Sequence, residues 1–166
     1  MKILFCLHNL TIVSENKHVH RPTISLPLGI LSIAAFIREK SWSGEIEIYD
    51  ARLSGKITNF ANGDLVFGDL DEEIEKRIKD SNPDIIGISN MFSWQISNAF
   101  QMAKIAKKVC PKATVVIGGP HASSFPEETL KQPGIDYVVM GEGEERWYDF
   151  LLALENKKEV SIQGIL

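Results

Sequence analysis

Cysteine is scarce: the 166 residues hold only two, Cys6 and Cys110, far apart in sequence, with Cys6 inside an apolar run. That excludes a disulfide framework and a cysteine metal knuckle. Long hydrophobic runs are missing too. The longest, Leu26 to Ile37, is broken by Pro27, Gly29 and Ser32, short of the roughly 20 apolar residues that span a bilayer. Met1 to Leu7 is followed by His8 and Asn9 without a small-residue cleavage site, so it reads as a strand rather than a signal peptide. A cytoplasmic protein without membrane association is expected. No basic block exists either: 18 lysines and arginines face 22 aspartates and glutamates, a net charge of −4. Nothing here tracks a phosphate backbone, which excludes nucleic acid as a partner.

What is present describes one packed domain. Hydrophobic residues make up 44% and charged residues 24%, near the globular average. Short apolar or β-branched runs alternate with segments of helical period, which points to βα units and a parallel sheet covered on both faces. The expected strands are Lys2 to Leu7, Glu45 to Tyr49, Asp84 to Ser89, Ala113 to Ile117 and Asp136 to Met140. Ile46 and Ile48 alternate with glutamates as on an edge strand, and the last three runs follow the turn signals Asn82-Pro83, Pro111 and Pro133-Gly134.

Five helices are expected between and after them. Pro27 to Lys40 carries Pro27 in its first turn and basic residues in its last. Asp71 to Lys79 is amphipathic through Ile74 and Ile78, and Ile96 to Val109 carries a stripe of Ala99, Ala103 and Ala106. Ser124 with Glu127 has the spacing of a capping box opening a short helix. Trp147, Phe150, Leu151 and Leu154 mark the last helix. Two connections, His8 to Leu26 and Ala51 to Gly68, are long enough to expect function in them. From about Lys157 the chain turns polar, and Val160 to Leu166 reads as an unfinished strand or a linker, as in a truncated protein.

Ligands of open α/β folds sit beyond the carboxyl ends of the strands, so those ends carry the functional signal. The first strand ends Cys6-Leu7-His8-Asn9, without the glycine-rich loops of dinucleotide or flavin binders. The third ends Ser89-Asn90, without the aspartate a phosphoryl receiver needs. The fourth ends Gly118-Gly119-Pro120-His121. Adjacent glycines let the backbone approach a large flat ligand, and Pro120 biases Gly119 toward an extended conformation. The fifth ends Gly141-Glu142-Gly143-Glu144-Glu145, and these acids suit a helix start but repel a polyphosphate. His18 and His20, beside Lys17 and Arg21, read as a solvated loop and are assigned no role.

Taken together, several segments resemble one family: Pro27-Leu28-Gly29-Ile30-Leu31, Asp50-Ala51, Asp84-Ile85-Ile86-Gly87-Ile88-Ser89, Gly118-Gly119-Pro120-His121-Ala122, Pro126-Glu127-Glu128 and Asp136 through Glu144. They look like the cobalamin-binding domain at the N-terminus of B12-dependent radical SAM enzymes. The resemblance implies a flavodoxin-like (Rossmann-like) three-layer sandwich with a five-stranded parallel sheet in the order 2-1-3-4-5. Residues 1–157 would form the cobalamin-binding domain, and residues 158–166 the start of a linker to a radical SAM domain.

Carried over by motif, the cofactor contacts are His8, Asn9, Ser89, Asn90, Met91, Gly118, Gly119, Pro120, His121, Gly141, Glu142 and Gly143. Corrinoid mutases and methionine synthase carry Asp-x-His-x-x-Gly after the first strand. Here the histidine, His8, stands without the aspartate or the glycine, and a ligating histidine needs a partner to orient it. The resemblance therefore implies base-off cobalamin whose cobalt has no histidine ligand. Met91-Phe92 and Trp94 would cover the corrinoid or the partner domain.

The family's radical chemistry uses S-adenosylmethionine and a [4Fe-4S] cluster on Cys-x-x-x-Cys-x-x-Cys, which two cysteines cannot supply. The chain is thus expected to be the cofactor-holding part of a methyltransferase or of a cyclase like the magnesium-protoporphyrin ester enzyme, not catalytic alone. The alternatives are a standalone corrinoid carrier, a freestanding flavodoxin-like domain binding FMN or another nucleotide, and an interaction domain with a vestigial pocket.

Overall fold

The computed structural model describes residues 1–13 and 24–166; His18 and His20 lie outside them. Five parallel strands form the central sheet: β1 (Lys2–Leu7), β3 (Glu45–Asp50), β6 (Ile85–Ser89), β7 (Thr114–Gly118) and β8 (Tyr137–Val139). Their order across the sheet is β3-β1-β6-β7-β8, with β3 at one edge. Numbered within this sheet alone, that is 2-1-3-4-5, the flavodoxin-like arrangement expected. Its topological switch point lies between β1 and β6.

Alternating side chains feed two cores. Leu4, Cys6, Ile86, Ile88, Val115 and Ile117 face one side, where α2 (Asp71–Ser81) and α3 (Ile96–Val109) cover them with Ile74, Ile78, Ala99, Ala103 and Ala106. Ile3, Phe5, Ile85 and Val116 face the other, covered by α1 (Leu28–Glu39) through Ile30, Ala34 and Ile37 and by α6 (Glu144–Glu155) through Trp147, Phe150 and Leu151. The i, i+4, i+7 spacing on α1 and the i, i+3, i+4 spacing on α6 put each set on one stripe. Burying one such large side chain contributes about 1.5–3 kcal/mol.

The structure departs from expectation in three places. The long connections are not plain loops: β2 (Leu10–Ile12), β4 (Ile57–Asn59) and β5 (Leu65–Phe67) form a separate antiparallel sheet in the order β2-β5-β4. Pro27 precedes α1 rather than lying within it. Ser124 opens no capping box; its hydroxyl donates to the Pro120 carbonyl at 2.9 Å, closing α4 (Pro120–Ser124), and α5 (Pro126–Leu130) starts afresh at Pro126. The described residues thus hold six α-helices rather than five. The segment after α6, read from sequence as an unfinished strand or a linker, returns to the sheet, where Val138 and Leu166 exchange backbone hydrogen bonds of 2.9 and 3.0 Å and Val139 pairs antiparallel with Ile165.

Candidate cofactor site

In-register pairing brings the strand tips into one row: Leu7 lies opposite both Asp50 and Ser89, Ser89 opposite Gly118, and Gly118 opposite Val139. Beyond that row, on the α1/α6 side, the sheet and the two helices part around a slot of about 730 Å³, counting its open mouth. A wider and shallower depression lies at the opposite edge of the sheet around Asn82, Pro83 and Pro111. That location is away from the strand tips, where this fold places ligands.

Bare backbone makes the slot. Gly29 on α1 has no atom within 4 Å of where a Cβ would stand, and a Cβ on Gly118 would meet only Val139, at 3.4 Å. Gly143, at the start of α6, lies so close to α1 that a Cβ there would stand 2.6 Å from the Ile33 side chain. The floor is Phe5 against Trp147, edge to face with ring centroids 4.9 Å apart. Gly87 makes that packing possible, because a Cβ would fall 2.6 Å from the Phe5 ring and 2.9 Å from Trp147. The slot is open, apolar at its floor and flanked by the Ser89 hydroxyl, while Glu142 and Glu144 stand at its mouth. Among the described residues no lysine or arginine lines it, so it suits a flat, largely apolar group better than a nucleotide polyphosphate.

Gly119 differs from the expected extended geometry. Its φ of 110° and ψ of 179° lie in a region essentially restricted to glycine. Its missing side chain lets β7 turn against the backbone of Asn90, where a Cβ would sit 2.1 Å from the Asn90 carbonyl oxygen.

The residues named from sequence divide into two groups, with His121 apart from both. Ser89, Met91, Gly118, Gly119, Pro120, Gly141, Glu142 and Gly143 all line the slot. His8, Asn9 and Asn90 instead form a buried polar knot at the switch point. Asn9 donates to the Asp69 carbonyl at 2.7 Å and accepts from Asn98 at 3.0 Å, which ties the small sheet to the strand tips. His121 sits in α4 with its ring 5.1 Å from Phe125. Phe5, Gly29, Ile33, Gly87 and Trp147 were not anticipated as lining. Glycine in the first turn of a helix and in mid-strand was the signal available for two of them.

His8 is held neutral. Burial pushes its pKa down, only partly opposed by the hydrogen bond to the Asn9 carbonyl. Nδ1 lies 2.6 Å from that carbonyl, which can only accept, so Nδ1 carries the proton. Nε2 is therefore an acceptor, and it takes a hydrogen bond from Asn90 Nδ2 at 3.2 Å. Both ring nitrogens are engaged within the protein. A pH dependence follows: as pH falls below about 6.5, the ordinary imidazole value, the unfolded chain binds a proton that the folded chain resists binding. Stability should then decline from pH 7 toward pH 5, with the His8 contribution complete above that window. Urea midpoints across this range should slope less for His8→Gln than for the wild type; equal slopes would assign the effect to other groups.

A family model described as the B12 binding domain matches residues 19–151. The chain belongs to the B12-binding domain family. It is 37% identical over 152 residues to cytidylyl-2-hydroxyethylphosphonate methyltransferase of Streptomyces wedmorensis, a match covering 87% of this chain and 28% of that enzyme. It is 29% identical over 134 residues to the anaerobic magnesium-protoporphyrin IX monomethyl ester cyclase of Rubrivivax gelatinosus, covering 72% of this chain and 24% of the cyclase. This B12-binding domain thus spans about a quarter of the length of these curated relatives. Its fold matches that of the radical S-adenosylmethionine methyltransferase TsrM from Kitasatospora setae with cobalamin and a [4Fe-4S] cluster bound, at a TM-score of 0.71 and 17% identity, over 99% of this chain and 26% of TsrM. Among the described residues, no cluster of histidine, cysteine, aspartate or glutamate could hold a metal ion, and no helix is long and apolar enough to cross a membrane.

Proposed function

We propose that this domain holds base-off cobalamin with its benzimidazole-bearing tail in the slot between the sheet and helices α1 and α6, for a radical SAM domain elsewhere in a longer polypeptide. The observation that carries the reading is the glycine-walled slot beyond the strand tips, open where Gly29 and Gly118 leave backbone without side chains. When bound, the corrinoid supplies a transferable methyl group or a reactive cobalt centre for methyl transfer or radical cyclisation. The chain's own residues bind and orient it. Ser89 and the Gly118–Pro120 backbone form one wall, α1 the other, and Phe5 with Trp147 sets the depth to which a ring can enter. His8 offers no nitrogen to the cobalt, since both are hydrogen-bonded within the protein. Met91, which lines the slot, and the neighbouring Phe92 and Trp94 are 58%, 50% and 64% exposed, an apolar group for the corrin edge or the partner domain to cover. S-adenosylmethionine and the iron–sulfur cluster belong to that partner domain.

The test is to incubate the protein with hydroxocobalamin, desalt it and record the visible spectrum. Stoichiometric retention with a base-off spectrum is expected, and His8→Ala should leave that spectrum unchanged. Retention of FMN with no corrinoid would overturn the reading, and a spectral change in His8→Ala would restore histidine ligation.

A further inference from the structure

The turn Gly141-Glu142-Gly143 lines the slot, yet it is held by side chains that do not. On one side the Ser123 hydroxyl donates to the Gly119 carbonyl at 3.0 Å and accepts from the Gly141 N–H at 2.8 Å, which pins the turn to the end of β7. On the other stands Arg146, which lines a different depression with Ile162 and Gln163. Its Nη1 donates to the Glu142 carbonyl, and its Nε to the Gln163 carbonyl at 3.1 Å. One guanidinium, a rigid fork of several donors, thus holds both the slot turn and the segment that follows α6.

Two glycines make room for it. Gly141, with a φ of 63–65° avoided by other residues, and Gly164, with a φ of 87°, both take the left-handed conformation that glycine adopts without steric cost. A Cβ on Gly141 would stand 3.2 Å from Arg146 Nη1, and one on Gly164 only 2.2 Å from Nε. Gly164 in turn accepts from the N–H of Met140, the residue before the turn, at 2.8 Å. We infer that Arg146 is a positioning residue that couples corrinoid affinity to the docking of residues 162–166 on β8. The inference rests on the cobalamin reading of the slot. With the segment docked, Gln163 anchors the guanidinium that sets the Glu142 carbonyl, and Gly164 steadies Met140. With the segment released, the turn loses both supports. Linkage is reciprocal, so bound corrinoid strengthens docking by the same factor that docking strengthens binding.

The experiment combines visible titration with hydroxocobalamin and amide hydrogen exchange. Arg146→Met keeps an apolar stem but removes both donors, and its Kd should rise about tenfold. Arg146→Lys, a point charge in place of the fork, should fall between it and wild type. In wild type, saturating hydroxocobalamin should slow local-opening exchange of the Val138, Met140 and Leu166 amides about tenfold. Those amides make the bonds between the segment and β8, and none of the three residues lines the slot, so contact with the ligand does not account for the slowing. In corrinoid-saturated Arg146→Met the slowing should vanish. A purely structural Arg146 would lower Tm and leave Kd at the wild-type value, which would overturn the inference. Exchange in wild type that ignores bound hydroxocobalamin would overturn it too, even if Arg146→Met did not fold. Failure of wild type to bind hydroxocobalamin at all would instead overturn the cobalamin reading on which the coupling rests.

Discussion

Replacing Gly118 with leucine is expected to abolish corrinoid retention while leaving the domain folded. A Cβ at this position would stand 3.4 Å from the Val139 carbonyl oxygen and 3.8 Å from its Cβ, ordinary contact distances, and the residue does not have a positive φ. The backbone accommodates a Cβ, and because Gly118 lines the slot, a larger side chain there is expected to extend into it. A branched chain there occupies the volume the nucleotide tail needs, so affinity for hydroxocobalamin should fall at least a hundredfold, about 2.7 kcal/mol. The measurement is corrinoid absorbance after desalting, with circular dichroism to confirm the fold. Undiminished retention would show that the tail lies elsewhere.

One position along, the expected effect is on stability. Gly119→Ala places a methyl group 2.1 Å from the carbonyl oxygen and 2.9 Å from the carbonyl carbon of Asn90, and backbone atoms cannot swing aside as a lysine tip would. The alanine must also adopt a φ of 110°, which by itself costs about 1–3 kcal/mol. With the overlap added, a loss of about 3–4 kcal/mol is expected, or about 10 °C in Tm for a domain of this size. Gly118→Ala serves as the control and should change Tm by no more than about 2 °C. A Gly119→Ala protein as stable as that control would mean that the strand end relaxes without the glycine geometry. The two neighbours thus have separable roles, Gly118 in volume and Gly119 in conformation.

The fold was legible because its signals are local and regular. Val115 to Ile117 and Ile85 to Ile88 are apolar on both faces, as only a sheet covered on both sides requires, and Ala99, Ala103 and Ala106 repeat at helical spacing. The small sheet was not legible, because its strands have three residues each and Ile57, Thr58 and Asn59 are exposed or half-buried, so no hydrophobic alternation marks them. Much of the slot was visible as paired glycines at strand ends. Its floor was hidden, since the need for Gly87 arises from Phe5 and Trp147, which sequence separates widely and tertiary packing joins. His8 was the informative case. The missing aspartate and glycine of the histidine-ligand motif spoke against cobalt ligation, yet the partner that engages its Nε2 lies 82 residues away and has no motif to announce it.

The return of the chain's last residues to β8 also bears on handling of the domain. An open parallel sheet ends in strands whose free N–H and C=O groups can recruit another molecule's strand. Here one of those borders is sealed from within, by Leu166 on Val138 and by Gly164 on Met140 at 2.8 Å, with Arg146 Nε holding the neighbouring Gln163 carbonyl at 3.1 Å. A version trimmed at residue 158 would keep every slot residue but uncover that border. Sedimentation or light scattering should then register self-association that pairing by residues 159–166 prevents.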